Sequence, residues 1–206
     1  MNLFHYQRLL LVPIFILIAY GTYAQPITDQ YAFDISPAER AIGQRMSYYG
    51  RTKNTVNYRK LALQMGAKAM TSTEGLRQAI DADFQQPINY KDQSEAGKAM
   101  AARLVAERTK HMRDSQKYAQ WLHKLAAAYL LLHMTNPADL KQALTWSARS
   151  VELVASPENL DTHAQLLYRL GRKAEAIETE REAVAQALGA GVDARAYELT
   201  LDRLQK

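Results

Sequence analysis

The 206-residue chain contains no cysteine. This absence excludes disulfide bonds, thiolate metal sites, a cysteine nucleophile and a lipid anchor attached to an N-terminal cysteine. If the protein works in an oxidising compartment, its stability must therefore come from packing. The remaining composition, with 48% apolar and 23% charged residues, is that of a foldable chain and not of a disordered polyelectrolyte or a multi-span membrane protein.

The N-terminal segment has the order of a secretory signal peptide. Arg8 precedes an apolar stretch from Leu9 to Tyr20, and Thr22-Tyr23-Ala24 then places small residues before Gln25. A helix of this length reaches about 18 Å, whereas the hydrocarbon core of a bilayer is about 30 Å thick. We therefore expect residues 1–24 to be cleaved after Ala24, which leaves no stable membrane span and predicts a periplasmic or secreted protein. An uncleaved N-terminal anchor is the alternative.

The rest of the chain repeats one pattern, in which a capping residue precedes an apolar stripe at helical spacing and a breaker follows. Ser36-Pro37-Ala38-Glu39 combines a capping box with proline at the first helical position. Thr71-Ser72-Thr73-Glu74 is another box, and Asp114-Ser115 separates the fourth predicted helix from the fifth. No stretch alternates with the period of two that is typical of β-strands. The pattern predicts an all-α fold of about nine helices after the signal peptide.

The second half of the chain contains an internal repeat. Residues 142–153 superpose on residues 175–186 at a shift of 33, and the preceding helices match at a shift of 38, which pairs Ala126 with Ala164. A helical hairpin that recurs about every 34 residues, with small residues where the helices cross, is typical of helical repeat arrays.

The second unit of this repeat, Asn159 to Ala187, resembles the tetratricopeptide-repeat (TPR) family. Ala164 stands at the family's small position in the first helix, Gly171 at the turn and Ala176 at the tight crossing. The unit departs from the family at Glu180, where an aromatic residue is usual. The resemblance implies antiparallel helical hairpins that stack into an α-solenoid.

The TPR resemblance also implies a division of the chain. Residues 119–206 would form two hairpins and a C-terminal capping helix, and residues 25–118 would be either degenerate repeats or a separate helical cap. The C-terminal half is also similar to the helical tail of some secreted thioredoxin-fold proteins of Bacteroidetes-type bacteria. That similarity implies a periplasmic setting and nothing catalytic, because a thioredoxin domain needs an active-site cysteine and a β-sheet.

In TPR proteins the first helices of the units line a concave surface that commonly receives a peptide segment. Carried onto this chain, the groove positions are His123, Asp161, Gln165, Tyr168 and Arg169. Arg169 suits a carboxylate, Tyr168 a flat apolar contact and Gln165 an extended backbone. The resemblance thus implies an interaction module whose partner is another envelope or secreted protein. The alternative is a concave face that helices of the first half fill.

Positive charge is concentrated in the first half of the chain. Gln25 to Tyr118 carries 15 basic and 10 acidic residues, whereas Ala119 to Lys206 carries 10 and 11. Basic residues interleaved with tyrosines also fit a site for an anionic polymer such as a glycan. The candidates are Arg45, Arg51, Lys53, Arg59 and Lys60. The simpler interpretation is a solvated basic face, and the secretory signal argues against nucleic acid as a partner.

The sequence has no catalytic or metal-binding motif. Its histidines beyond residue 24 do not pair at a spacing of three or four residues, and HExxH, GxSxG, Walker and GxGxxG patterns are absent. The acidic residues Glu178, Glu180 and Glu182 alternate along a predicted helix, which indicates a solvated surface and not a catalytic dyad. We therefore predict a non-enzymatic protein without cofactor or metal. A helical enzyme built on distant carboxylates is the remaining alternative.

Overall fold

The computed structural model describes residues 36–206, with the exception of His133 and of the side chain of Leu131. The predicted signal peptide lies outside the described residues. The all-α prediction is confirmed, because every regular element of the described part is a helix and no strand occurs there. No described helix is long and apolar enough to cross a bilayer. The helices are α1 (Pro37–Arg51), α2 (Thr55–Ser72), α3 (Leu76–Gln85), α4 (Glu95–Leu131), α5 (Pro137–Leu153), α6 (Pro157–Arg169), α7 (Lys173–Gly189) and α8 (Arg195–Gln205).

Helix α4 differs most from the predicted pattern, because it runs unbroken for 37 residues where two helices were expected. Asp114 and Ser115 do not interrupt it, since the segment contains no proline and neither residue forces the backbone out of the helical region. Ser115 is instead buried, and its hydroxyl donates to the carbonyl oxygen of Leu153 in α5 at 3.0 Å. The expected count of about nine helices is therefore too high, and the boundary expected after residue 118 lies inside α4.

The capping box expected at Thr71 to Glu74 does not form. Helix α2 continues to Ser72, and the buried hydroxyl of Thr73 donates to the carbonyl oxygen of Ala69 at 2.9 Å. Thr73 thus closes α2, and α3 begins after Gly75 without a side-chain cap. The cap predicted at Ser36 does form, since its hydroxyl accepts from a backbone N–H group at the start of α1. The side-chain oxygens of Ser94, Asn136 and Ser156 cap α4, α5 and α6 in the same way.

Residues 44–206 form one compact unit, and the segment that ends at Gly43 belongs to another. Within the larger unit, Tyr129 of α4 packs edge to face against Tyr58 of α2 and Trp146 of α5, with ring centroids 6.5 and 5.3 Å away. Gly66 of α2 lies directly against the Trp146 ring. Helix α2 therefore shares a core with the region of the predicted repeat.

Helices α4 to α8 pack as successive neighbours. Ser115 bonds to Leu153 and Ser150 bonds to the carbonyl oxygen of Ala119 at 2.7 Å, which makes α4 and α5 antiparallel. One buried cluster contains Leu160 of α6 with Tyr197 of α8, and a second contains Leu167 of α6 with Leu204 of α8. Because both pairs keep the same order along the chain, α6 and α8 lie side by side and run in the same direction.

Residues that the internal repeat pairs are buried alike. Ala126 and Ala164 are both fully buried, and so are Ala143 and Ala176. Small side chains at these positions let the helices of each hairpin approach closely. The burial pattern therefore supports the equivalence of the two units that the sequence alignment predicts.

Candidate functional site

Four of the predicted groove residues lie along one helix, α6, between its neighbours α4 and α8. We call them the α6 polar edge: Asp161, Gln165, Tyr168 and Arg169. The Nε2 of Gln165 donates to Oδ2 of Asp161 at 2.9 Å, and both side chains are partly buried. Tyr168 is 40% exposed and Arg169 is also exposed. The edge therefore presents an aromatic ring and a guanidinium group to solvent beside a fixed amide–carboxylate pair.

Arg169 also has a structural contact. Its Nη2 donates to the carbonyl oxygen of Leu130, near the C-terminal end of α4, at 3.5 Å. The carbonyl groups at a helix C-terminus carry partial negative charge, so a guanidinium group there is favourable. Leu130 itself is buried.

His123 does not join the α6 polar edge in any described contact. It is partly buried on α4, and its Nδ1 is enclosed with no hydrogen-bond partner among the described residues. Burial lowers the pKa of His123 to about 4, against a smaller opposing effect of Glu158 at the start of α6. His123 is therefore neutral at pH 7, and the structure places it against α6.

Asp161 of the α6 polar edge also faces a second carboxyl group, that of Glu180 on α7. Glu180 is 0% exposed, and in the described part of the chain its carboxyl oxygens have no donor; the Asp161 carboxyl is their one partner, and that hydrogen bond needs a proton on one of the two groups. Burial and the neighbouring charge of Asp161 raise the pKa of Glu180 to about 8, although Arg203 of α8 acts in the opposite direction. Glu180 is therefore predominantly protonated at pH 7.

Burial also raises the pKa of Asp161, while the amide of Gln165, the hydroxyl of Thr200 and the charge of Arg203 lower it. The two carboxyl groups titrate as a pair, since ionisation of one opposes ionisation of the other. A proton bound to the pair can be shared in a hydrogen bond between Asp161 and Glu180, and the pair loses it at a higher pH than an isolated carboxyl group does.

The interpretation of Glu180 as part of a solvated surface is wrong. Its neighbours Glu178 and Glu182 are exposed, whereas Glu180 points into the packed contact of α6, α7 and α8. The one signal in the sequence was the alignment, which puts Glu180 where the TPR family usually has an aromatic residue. A position that normally holds a large apolar ring is a core position, whichever residue occupies it.

The basic candidates are all exposed, on α1 and α2 and in the turn between them: Arg45, Arg51, Lys53, Arg59 and Lys60. The Nε of Arg59 lies 2.7 Å from Oδ1 of Asp139, whose side chain is mostly buried at the start of α5. Tyr58 is also buried, in contact with Tyr129. Arg59 and Tyr58 therefore hold α2 in place, and the other four basic side chains remain as a candidate anion-binding surface.

Two histidines join neighbouring helices. The Nδ1 of His111 lies 2.7 Å from Oδ2 of Asp83, and the Nδ1 of His163 lies 2.8 Å from the Ser147 hydroxyl. Over the residues that the structure describes, no three histidine, aspartate or glutamate side chains converge as a metal site would require. Both histidines have partners that explain their positions as packing contacts.

No family model, curated protein or solved structure matches the chain. The fold and the site define an all-α protein of packed helical pairs that carries a polar edge on α6 and a buried carboxyl pair behind it.

Proposed function

We propose that the protein is a non-catalytic helical-repeat protein of the TPR type, periplasmic or secreted, that binds an extended peptide segment of another envelope or secreted protein. The observation that carries this proposal is the α6 polar edge, where exposed Tyr168 and Arg169 adjoin Gln165 and Asp161. The side-by-side packing of α6 and α8 and the matched burial of the paired alanines support a stacked repeat array.

The chemistry of the α6 polar edge suits an extended segment that carries a carboxylate. The guanidinium group of Arg169 can donate to both oxygens of a carboxylate. The ring of Tyr168 offers a flat apolar surface with a hydroxyl tip. Because Gln165 directs its Nε2 to Asp161, its Oε1 remains as an acceptor for a backbone N–H group.

Tyr168→Ala and Arg169→Gln are each expected to weaken partner capture about tenfold or more, because exposed tyrosine and arginine side chains commonly dominate binding energy. The measurement is a crosslinking pull-down of the protein from its native envelope, with each variant compared with the wild type. Glutamine is chosen at position 169 because a negative side chain would also repel the carbonyl groups at the end of α4.

Arg181→Gln is the matched control, because Arg181 is exposed on α7, the second helix of the same hairpin. This variant is expected to capture as much partner as the wild type. Thermal unfolding of all three variants separates lost binding from lost folding. Wild-type capture by Tyr168→Ala and Arg169→Gln would overturn the proposal.

A second candidate function, binding of an anionic polymer such as a glycan, is favoured by four exposed basic side chains: Arg45, Arg51, Lys53 and Lys60. If they form such a site, the protein elutes from heparin in a salt-dependent manner, and Arg51→Gln with Lys60→Gln lowers the eluting salt concentration. Lys141→Gln with Lys206→Gln, which removes two exposed lysines outside the candidate surface, is the charge-matched control. Equal elution of the double variant and the wild type would remove this candidate.

A further inference from the structure

Glu180 is enclosed where three helices meet. Asp161 of α6 faces it, and the Asp161 carboxyl in turn accepts from the amide of Gln165 and from the Thr200 hydroxyl of α8, while the guanidinium group of Arg203, also of α8, acts on both carboxyl groups. Arg203 is exposed, whereas Glu180 is not. The immediate charged surroundings of Glu180 are therefore one carboxylate and one partly solvated cation.

The protonation state of Glu180 sets the net charge of the packed contact between α6, α7 and α8. While the pair of Asp161 and Glu180 holds one proton, it carries a single negative charge, which stands opposite the positive charge of Arg203. Ionisation would add a second negative charge inside the contact, on oxygens that have no hydrogen-bond donor in the described residues. A buried charge without hydrogen bonds is strongly unfavourable, so packing that excludes water from Glu180 is weakened when Glu180 ionises.

We propose that Glu180 is a pH-sensitive latch, which holds α8 against α6 and α7 while it is protonated and loosens α8 when it ionises. Helix α8 is the element that can respond, because its packing depends on a few buried anchors, Tyr197, Thr200 and Leu204. This inference goes beyond peptide binding and stands or falls independently of it.

The direction of the pH effect follows from proton linkage. In the unfolded chain Glu180 ionises near its ordinary pKa of 4.5, and in the folded protein near 8. Between these values the folded state holds a proton that the unfolded state does not, so stability falls as the pH rises. Below 4.5 both states are protonated and above 8 both are ionised, so Glu180 adds no further pH dependence there.

The test is urea unfolding of the full chain between pH 5 and 9.5. The wild type is expected to show an unfolding constant that rises about tenfold per pH unit relative to Glu180→Gln, from about pH 5 to about pH 8. Glu178→Gln removes an exposed carboxylate two residues away and is expected to keep the wild-type pH dependence. Wild-type pH dependence in Glu180→Gln would overturn the latch.

Amide hydrogen exchange at pH 6 and pH 9, corrected for the intrinsic rates, tests the part played by α8. At pH 9 the α8 amides are expected to be nearly unprotected in the wild type and protected in Glu180→Gln, whereas α5 amides lose protection only by the fall in global stability and stay protected in both. Retained protection of α8 at pH 9 in the wild type would contradict the latch. If Glu180→Gln fails to fold, Asp161→Asn replaces it in the urea test. This substitution removes the charge that raises the pKa of Glu180 in the folded protein, so the loss of stability is expected to end at a lower pH than in the wild type.

Discussion

Gly66→Ala is expected to lower the free energy of unfolding by about 1–3 kcal/mol, although alanine is the better helix former. A Cβ atom at this position would lie 2.4 Å from Cε2, Cζ2 and Nε1 of Trp146. The indole ring cannot move away easily, because Trp146 is 1% exposed and packs against Tyr129. The methyl group must therefore push α2 away from α5, and urea unfolding measures the loss.

Gly189→Ala is the matched control for Gly66→Ala. Gly189 is the last residue of α7, belongs to the same compact unit, is exposed, and has no atom within 4 Å of an added Cβ. Alanine there is expected to stabilise by up to about 1 kcal/mol through helix propensity alone. Opposite signs for the two substitutions would confirm the close approach of α2, whereas two stabilising substitutions would contradict it.

Trp146→Ala is expected to lower the free energy of unfolding by about 3–5 kcal/mol, the cost of emptying a large buried site. Trp146 joins α5 to both α4 and α2, through Tyr129 and Gly66. Urea unfolding again measures the effect. If α2 shares a core with α4 and α5, Gly66→Ala lowers the free energy of unfolding much less in the Trp146→Ala background than in the wild type. The reason is that the space vacated by the indole ring accepts the alanine methyl group.

Trp121→Ala is the control for Trp146→Ala, since the chain has only these two tryptophans. Trp121 is partly buried and packs edge to face on Tyr118 at 5.9 Å, with the Lys117 ammonium 5.3 Å from its ring. Its removal is expected to cost about 1 kcal/mol. Equal costs at the two positions would contradict a core centred on Trp146.

Helix starts could be predicted from the sequence because a cap is a local feature. Asn136-Pro137 and Ser156-Pro157 open α5 and α6 as their residue types require. Ser115 could not be interpreted in this way. Its hydroxyl bonds to Leu153, 38 residues along the chain, and a polar side chain used in such a contact looks like a helix boundary when only its neighbours are considered.

The TPR resemblance predicts Asp161, Gln165, Tyr168 and Arg169 as groove positions. In the structure these residues lie on α6, with Gln165 bonded to Asp161 and with Tyr168 and Arg169 exposed, and their part in binding stays a prediction. The resemblance did not reveal that Asp161 faces Glu180. Charged residues are almost always exposed, so a glutamate that alternates with two other glutamates is expected on a surface. Glu180 is buried because α6 and α8 both pack against α7 at this position, which the sequence around Glu180 does not indicate.

Binding of a peptide segment by the α6 polar edge is tested most directly by a photocrosslinking residue in place of Tyr168. In cells that produce the protein, this position is expected to crosslink one discrete protein, and an excess of unlabelled wild-type protein is expected to suppress that product. The same residue in place of Arg181, on α7, is expected to give no such product. Absence of a product from position 168, or equal crosslinking from positions 168 and 181, would contradict the proposed groove.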